Sequence, residues 1–339
     1  MGVPFDELCT HPRLIQEEVL SFFNVATGVK FARAARSVSR VCHKEGKLAV
    51  GVVNGKSTLE VQLTCIAIGS IVSLEVRTDQ LAVVLMALSQ GISLRQLCIS
   101  SGTFEAGPWR GLCKAVGDCK TLRTFSMENC NFSSMTASAA VDPWRGLCKE
   151  IGKSNTLRTF SIASCPLTSE MPQLLGDCLK GNMAMIRFAV TSCSLGNAVE
   201  AVFEAIAQNT TLKTLDLSGN GMNFELGCKI KAMLSQNETL TNVLLAGNNL
   251  RACGIKEVFQ GLSVNHAIKR LSLKASRLDI NKIGNPDRVG MANALASALQ
   301  ANTTLELLDL TQTTSNAGFD LAALCIVLAK RTRPLDLRL

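Results

Sequence analysis

The segment TLKTLDLSGNGM at residues 211–222 is followed by TLTNVLLAGNNL at 239–250, and this pair decides the fold. Both segments follow the pattern L-x-x-L-x-L-x-x-[N/C]-x-L. Within the first segment, Leu215 and Leu217 alternate with Asp216, which is the spacing of side chains on the two faces of a β-strand. The pattern therefore predicts a short strand with one buried face, followed by a turn at Asn220.

The same pattern recurs along most of the chain. Its first apolar position is occupied, in chain order, by Leu94, Leu122, Leu157, Met185, Leu212, Leu240, Ile268 and Leu305. An earlier copy contains Ile71, Leu74 and Val76, and a final partial copy contains Leu335 and Leu337. Most copies are about 28 residues apart, a period long enough for one strand and one helix.

Helical stretches follow the strands, for example at 197–209, 254–265 and 287–302. In the first of these, Val199, Val202 and Phe203 have the i, i+3, i+4 spacing of an amphipathic helix. We therefore predict an α/β fold: a right-handed leucine-rich-repeat solenoid with parallel strands on the concave face and helices on the convex face. Residues 57–339 hold about nine to ten repeats, which bury their faces by stacking on one another.

This repeat resembles the ribonuclease-inhibitor-like class of leucine-rich repeats, which includes the repeat domains of NOD-like receptors and of the Ran GTPase-activating protein. The resemblance runs from about Ile71 to the C-terminus. It implies protein binding, so an interaction scaffold is expected. A GTPase regulator similar to the Ran GTPase-activating protein is a weaker alternative, because the acidic tail typical of that class does not follow here.

Residues 1–56 lack the repeat and are predicted to form a helical N-terminal cap. Part of this segment resembles an F-box, the module that holds a Skp-type adaptor in a ubiquitin ligase. The resemblance rests on Pro12, Val19, Leu20, Phe22 and Phe23. His11 and Leu14 depart from the pattern, and the stretch VSRVCHK at 38–44 lacks its tryptophan. Two interpretations stay open: a plain cap over the first repeat, or a substrate receptor of a ubiquitin ligase.

Composition favours a binding protein over an enzyme. The 339 residues carry a net charge of +8, but the basic residues form no long run of the kind that would indicate nucleic acid as a partner. We therefore expect no nucleic-acid partner. The three histidines, His11, His43 and His266, have no companion at metal-ligand spacing. We expect no catalytic residues, no metal, no cofactor and no membrane span. The many cysteines follow the repeat, which indicates a reducing, cytoplasmic location.

Several polar residues are explained by the repeat itself. The turn position is occupied by Asn220 and Asn248 in some copies and by Cys130, Cys165 and Cys193 in others. We expect these side chains to satisfy backbone groups of the turn. A glycosylation motif occurs at Asn131, Asn209, Asn237 and Asn302, and the last three fall in one recurring turn, so the repeat accounts for them without glycosylation.

Two surfaces are candidate binding sites for a partner protein. The concave face is predicted to expose the outward residues of successive strands, among them Arg187, Asp216, Leu244, Arg270 and Asp309. The residue after the first apolar position is basic in five copies, which predicts a basic rim of Arg95, Arg123, Arg158, Lys213 and Lys269. Such a rim would favour a partner with an acidic surface.

A longer unit, PWRGLCK, occurs at 108–114 and again at 143–149. It contains both tryptophans, Trp109 and Trp144, which are either exposed binding anchors or packing residues at the starts of two helices. Asp142 is predicted to cap the second helix. A second long unit, at 274–290, is predicted to bulge as a loop.

Overall fold

A computed structural model describes residues 94–132, 137–276, 286–312, 326–331 and 333–339, and the backbone of 73–77. In these residues, ten strands form one sheet in chain order, and all neighbours are parallel. The strands are β1 Ser73–Arg77, β2 Gln96–Thr103, β3 Thr124–Asn131, β4 Thr159–Ala163, β5 Arg187–Thr191, β6 Thr214–Asp216, β7 Asn242–Leu244, β8 Arg270–Ser272, β9 Leu307–Asp309 and β10 Asp336–Arg338.

Helices alternate with the strands and form the outer layer of the solenoid. They are α1 Ala106–Asp118, α2 Ala137–Lys153, α3 Met171–Gly181, α4 Glu200–Gln208, α5 Gly227–Gln236, α6 Arg251–Val264 and α7 Pro286–Ala301. Short 3-10 turns, Gly196–Val199 and Phe224–Leu226, precede α4 and α5. The predicted α/β leucine-rich-repeat solenoid is confirmed. No helix in the described ranges is long and apolar enough to cross a membrane.

The register of the sheet matches the alignment of the repeats. Leu215 pairs with Phe188 on one side and with Val243 on the other, as the pattern requires. The early copy also pairs as predicted, with Leu74 opposite Leu97. In the late copy, Leu337 lies opposite Leu308. One row of inward residues therefore runs through the sheet from β2 to β10, and the backbone register extends it to β1.

The core lies between the sheet and the helices. Its strand rows consist of fully buried apolar side chains, and in β3 to β5 the row becomes a stack of phenylalanines. The ring centroids of Phe125 and Phe160 lie 5.9 Å apart, and those of Phe160 and Phe188 lie 5.6 Å apart. Helices also approach closely, because a Cβ on Gly227 would lie 2.7 Å from the Cα of Gly254. Close packing of this kind is what joins each repeat to the next.

The turns after β3 to β7 are closed by a ladder of side-chain hydrogen bonds. The amide nitrogen of Asn220 donates to the carbonyl oxygens of Val190 at 2.6 Å and Leu217 at 3.0 Å. Its side-chain oxygen accepts from the backbone N–H of Cys193 at 3.1 Å. Cys165 accepts the backbone N–H of Cys130 at 3.3 Å in the same way. The predicted structural role of these turn residues is confirmed.

A second ladder closes the ends of the helices. The side chain of Asn182 donates to the carbonyl oxygen of Ile151 at 2.6 Å and accepts from the N–H of Met185 at 2.7 Å. The same bonds recur at Asn209, Asn237, Asn265 and Asn302, all of which are buried. The asparagines of the three glycosylation motifs in this turn therefore use their side chains in hydrogen bonds of the repeat, as expected from the sequence.

Two local predictions are wrong. The helix that contains Asp142 and Pro143 begins at Ala137, so Asp142 is not its cap. The alanine-rich sequence before Asp142 has high helix propensity, which extends the helix toward the N-terminus. The loop predicted at 274–290 does not extend over 286–290, because α7 begins at Pro286, in agreement with the helix predicted at 287–302 and with the preference for proline at a helix start. Residues 277–285 lie outside the described part of the chain.

Candidate partner-binding surfaces

The concave face consists of two rows of outward side chains in register across the strands. One row runs from Cys98 through Asp216 and Leu244 to Asp309, and the other runs from Gln96 through Arg187 and Arg270 to Leu307. Arg187 and Arg270 are exposed, whereas Leu244 is half-buried rather than exposed as predicted. The sheet therefore brings the five predicted concave residues onto one surface.

Two positions of the first row are buried, against expectation. Ala189 and Ser272 lie on outward strand positions, but their short side chains are covered beside longer neighbours such as Asp216 and Asp309. The exposed surface is therefore interrupted at β5 and β8.

The concave carboxylates hold the backbone as well as facing outward. One side-chain oxygen of Asp216 accepts from the N–H of Ser218 at 3.2 Å and from its hydroxyl at 2.7 Å. Asp309 forms the equivalent bonds with Thr311, at 3.0 Å and 2.7 Å. The other oxygen of Asp216 lies 4.0 Å from Arg187 on the preceding strand. Charge on this face is thus partly neutralised within the chain.

The basic rim forms a continuous backbone ladder, in which Arg123 donates its N–H to the carbonyl of Arg95 at 2.7 Å and Arg158 donates to Arg123 at 2.8 Å. Its side chains are not equivalent. The guanidinium of Arg158 donates to the carbonyl of Ala184 at 2.7 Å, and Lys269 forms an ion pair with Glu306 at 3.0 Å. Arg95, Arg123 and Lys213 are exposed and form no ion pair with the described residues.

The sequence interpretation missed an apolar pair within this rim. Met183 is 65% exposed and Ile186 is 43% exposed, which makes them two of the large apolar side chains that the described residues leave in solvent. Ile186 occupies the rim position between Arg158 and Lys213. The signal was present in the sequence, because Ile186 stands where five other copies carry a basic residue.

The tryptophans are packing residues, so their alternative role as exposed anchors is wrong. Trp109 and Trp144 are fully buried, and their ring centroids lie 4.6 Å apart. Phe104 and Phe132 surround them at 4.9 to 5.9 Å. The duplicated unit places Trp109 in the first turn of α1 and Trp144 in the middle of α2, both buried in the core. The two indoles therefore join α1 to α2.

Three of the buried thiols, those of Cys113, Cys148 and Cys178, have a raised pKa. Burial raises the pKa of Cys148 to about 12, and it also raises the pKa of Cys113 and Cys178. A thiol with a raised pKa stays protonated at neutral pH and is a poor nucleophile. Within the described ranges, no group of His, Cys, Asp and Glu is arranged to hold a metal ion.

The F-box-like residues Pro12, Val19, Leu20, Phe22 and Phe23 lie outside the described residues, as does the predicted boundary at residue 56. Both therefore stay predictions from the sequence.

Comparison with known proteins supports the leucine-rich-repeat class. No family model matches the chain. Leucine-rich repeat-containing protein 45 of Gallus gallus is 27% identical over 121 residues, which cover 35% of this chain and 18% of that protein. Capping protein, Arp2/3 and myosin-I linker protein 3 of Homo sapiens is 32% identical over 88 residues, 26% of this chain and 6% of that protein. The chain thus spans less than a fifth of either relative.

Among solved structures, the chain is similar to Leiomodin-1 Actin-Binding Site 2. The identity is 22% and the TM-score is 0.39, and the match covers 49% of this chain and 90% of that chain.

Proposed function

We propose that this chain is a non-enzymatic, cytoplasmic scaffold that binds a partner protein through its concave face and basic rim. The observation that carries the proposal is the rim, where the exposed Ile186 lies between Arg158 and Lys213 in the backbone ladder. Exposed Arg95 and Arg123 continue the ladder on the preceding repeats, and the exposed Met183 lies three residues before Ile186 in the chain. Apolar side chains bordered by arginine and lysine have the anatomy of a protein interface, with a desolvated centre and a polar edge.

Electrostatics favour an acidic partner surface. The rim cations without ion pairs are carried by a chain of net charge +8, so they attract carboxylates over a Debye length of about 8 Å at physiological salt. Steering of this kind raises the association rate more than it slows dissociation. The apolar pair would then contribute to the lifetime of the complex, because its burial removes apolar surface from water.

The experiment has two steps. First, the full chain and two variants are expressed with an affinity tag, and captured proteins are compared by quantitative mass spectrometry. The rim variant carries Arg123→Glu and Lys213→Glu, which avoids Arg158 because that side chain holds a carbonyl. The control carries Lys274→Glu and Lys330→Glu, which make the same charge change at exposed sites away from the rim.

Second, association and dissociation rates are measured for a protein lost from the rim variant and kept by the control. We expect the on-rate to fall about ten-fold or more between low and physiological salt, with the off-rate little changed. Met183→Asp should instead accelerate dissociation. Capture of the same proteins by all three chains in the first step, or a salt-independent on-rate in the second, would refute the role of the rim and leave Arg187, Leu244 and Arg270 as the candidates.

The ribonuclease-inhibitor-like subclass fits the strand-helix period of the repeat and is proposed on that basis. The adaptor-binding role of the N-terminal segment is a separate proposal from the sequence. In the full chain, Phe22→Ala with Phe23→Ala should abolish co-purification of a Skp-type adaptor while the melting temperature is unchanged. Failure of the unmodified chain to retain purified adaptor would favour the plain cap.

A further inference from the structure

The duplicated unit also forms a groove between α1 and α2, on the helix side of the solenoid. Arg110 and Lys114 stand one turn apart on α1, and Lys149 stands on the neighbouring α2. Together with Gly146, and with Asp118 and Glu150 at one end, they line a groove of about 450 Å³. We call it the basic groove.

Its shape follows from two glycines. A Cβ placed on Gly146 would meet nothing within 4 Å, so this part of the groove is open. A Cβ on Gly117 would lie 2.8 Å from the Cβ of Glu150, so the helices are in contact at the other end. The buried thiol of Cys113 lies at the floor. The groove is therefore open and cationic at one end, and closed and acidic at the other.

The cations of the groove lack the ion pairs that occur elsewhere on the helix side. On α5, Lys229 bonds to Glu200 and Glu204 of α4. Lys231 of α5 bonds to Glu257 of α6 at 2.9 Å. Arg110, Lys114 and Lys149 form no ion pair with any described residue. These three side chains are exposed and have no ion pair, whereas both lysines of α5 are paired with carboxylates of neighbouring repeats.

We propose that the basic groove binds an acidic segment of a partner protein, with carboxylates on the three cations and an apolar side chain over Gly146. The cations are spread along two helices rather than converging on one point, which matches carboxylates spaced along a peptide better than a single phosphate. Asp118 and Glu150 repel carboxylates at the closed end and so restrict the segment to the open end. The chain's own residues 1–50 carry more basic than acidic residues, so they do not complement the groove.

The test measures fluorescence anisotropy of a short labelled peptide of Glu-Glu-Leu triplets with the full chain. The Gln-Gln-Leu counterpart is the uncharged control. Lys114→Glu with Lys149→Glu should weaken binding at least about ten-fold, equivalent to about 1.4 kcal/mol. Lys274→Glu with Lys330→Glu makes the same change in net charge elsewhere and should leave the affinity within about two-fold.

A charge-neutral variant separates the groove from its charge. Gly146→Leu fills the open part, keeps the net charge and favours the helix, so the chain should stay folded by circular dichroism while peptide binding falls. Unimpaired binding by Gly146→Leu would overturn the proposal. So would equal weakening by the two lysine pairs, because net charge alone would then account for the binding.

Two further arms test other anionic partners. Vesicles of phosphatidylcholine with phosphatidylserine, and a labelled oligothymidylate, are titrated under the same conditions. If either binds through Lys114 and Lys149 while the acidic peptide does not, the groove serves a membrane or a nucleic acid and the proposal is wrong. Preference for the peptide, lost in Gly146→Leu, supports it.

Discussion

Strands β3 to β5 end in turns closed by cysteine, whereas β6 and β7 end in turns closed by asparagine. We call these the cysteine rungs and the asparagine rungs. The thiol of Cys193 lies 3.8 Å from the carbonyl of Ile162, whereas the amide of Asn220 donates to Val190 at 2.6 Å. The residue before the cysteine or asparagine nevertheless has a left-handed backbone in both sets. The inward apolar rows therefore determine the repeat, and the turn residue adjusts the strength of its closure.

The residue directly before the turn asparagine or cysteine also differs between the two sets. It has a left-handed backbone in both, with φ of 70° at Gly219 and 66° at Gly247, but 51° at Ser164 and 54° at Ser192. Glycine adopts this conformation without steric cost, whereas serine does so with strain. The asparagine rungs thus combine stronger hydrogen bonds with a relaxed backbone, and the cysteine rungs depend more on their aromatic core.

The largest expected effect concerns the inward apolar row, which both sets of rungs share. Leu215→Asp places a charge in a fully buried inward row, which costs several kcal/mol and should unfold the array. Lys213→Asp, two residues earlier and exposed, should change stability by no more than about 0.5 kcal/mol. Thermal unfolding followed by circular dichroism compares the two variants. Equal melting temperatures would contradict the strand register.

The next effect concerns the aromatic core beside the cysteine rungs. Trp144→Ala removes a buried indole that contacts Trp109 and Phe132, and should cost about 3 to 5 kcal/mol. Leu174 stands four residues before Cys178, as Trp144 stands before Cys148, and Leu174→Ala should cost about 2 kcal/mol. Urea denaturation measures both. A smaller loss for Trp144→Ala than for Leu174→Ala would show that the core does not depend on the aromatic cluster.

Features that depend on residues within one repeat could be predicted from the sequence, whereas features that depend on contacts between different repeats could not. The strand register, the ten parallel strands and the turn ladder followed from the repeat, because each rests on a pattern within about 28 residues. The burial of Ala189 and the ion pair between Lys269 and Glu306 depend on side chains of neighbouring repeats, so no local pattern indicated them. The helix-end ladder was detectable, since asparagine precedes the first apolar position by three residues in five copies. The basic groove required the spacing between two helices.

A smaller effect separates the two kinds of turn. Asn220→Ala leaves the carbonyl of Val190 and the N–H of Cys193 without this partner, at a cost of about 3 kcal/mol. The carbonyl of Leu217 keeps its bond from the amide of Asn248 at 3.1 Å. Cys165→Ala removes weaker sulfur contacts and should cost about 1 kcal/mol. Asn220→Cys converts one rung into the other kind and should fall between them. If the two alanine variants are equally unstable, the turn chemistry does not distinguish the rungs.

The smallest expected effect concerns the charges of the helix side. Lys229 lies between Glu200 and Glu204, and its hydrogen bond to Glu200 raises its pKa above the usual value of 10.5. Because the pKa of Lys229 is raised in the folded state, its ion pairs stabilise the fold at pH values below the unfolded-state pKa. This stabilisation disappears as the pH rises through the folded-state pKa. Lys229→Ala should therefore lower the melting temperature slightly at neutral pH and low salt. Lys114→Ala, which removes an unpaired cation from the basic groove, should leave the melting temperature unchanged or raise it.

The difference between Lys229→Ala and Lys114→Ala should vanish in about 1 M salt, where the Debye length is about 3 Å, and at pH values above the raised pKa of Lys229. A difference that persists under both conditions would arise from packing of the lysine stem, and the contrast between paired and unpaired charges would then have no electrostatic basis.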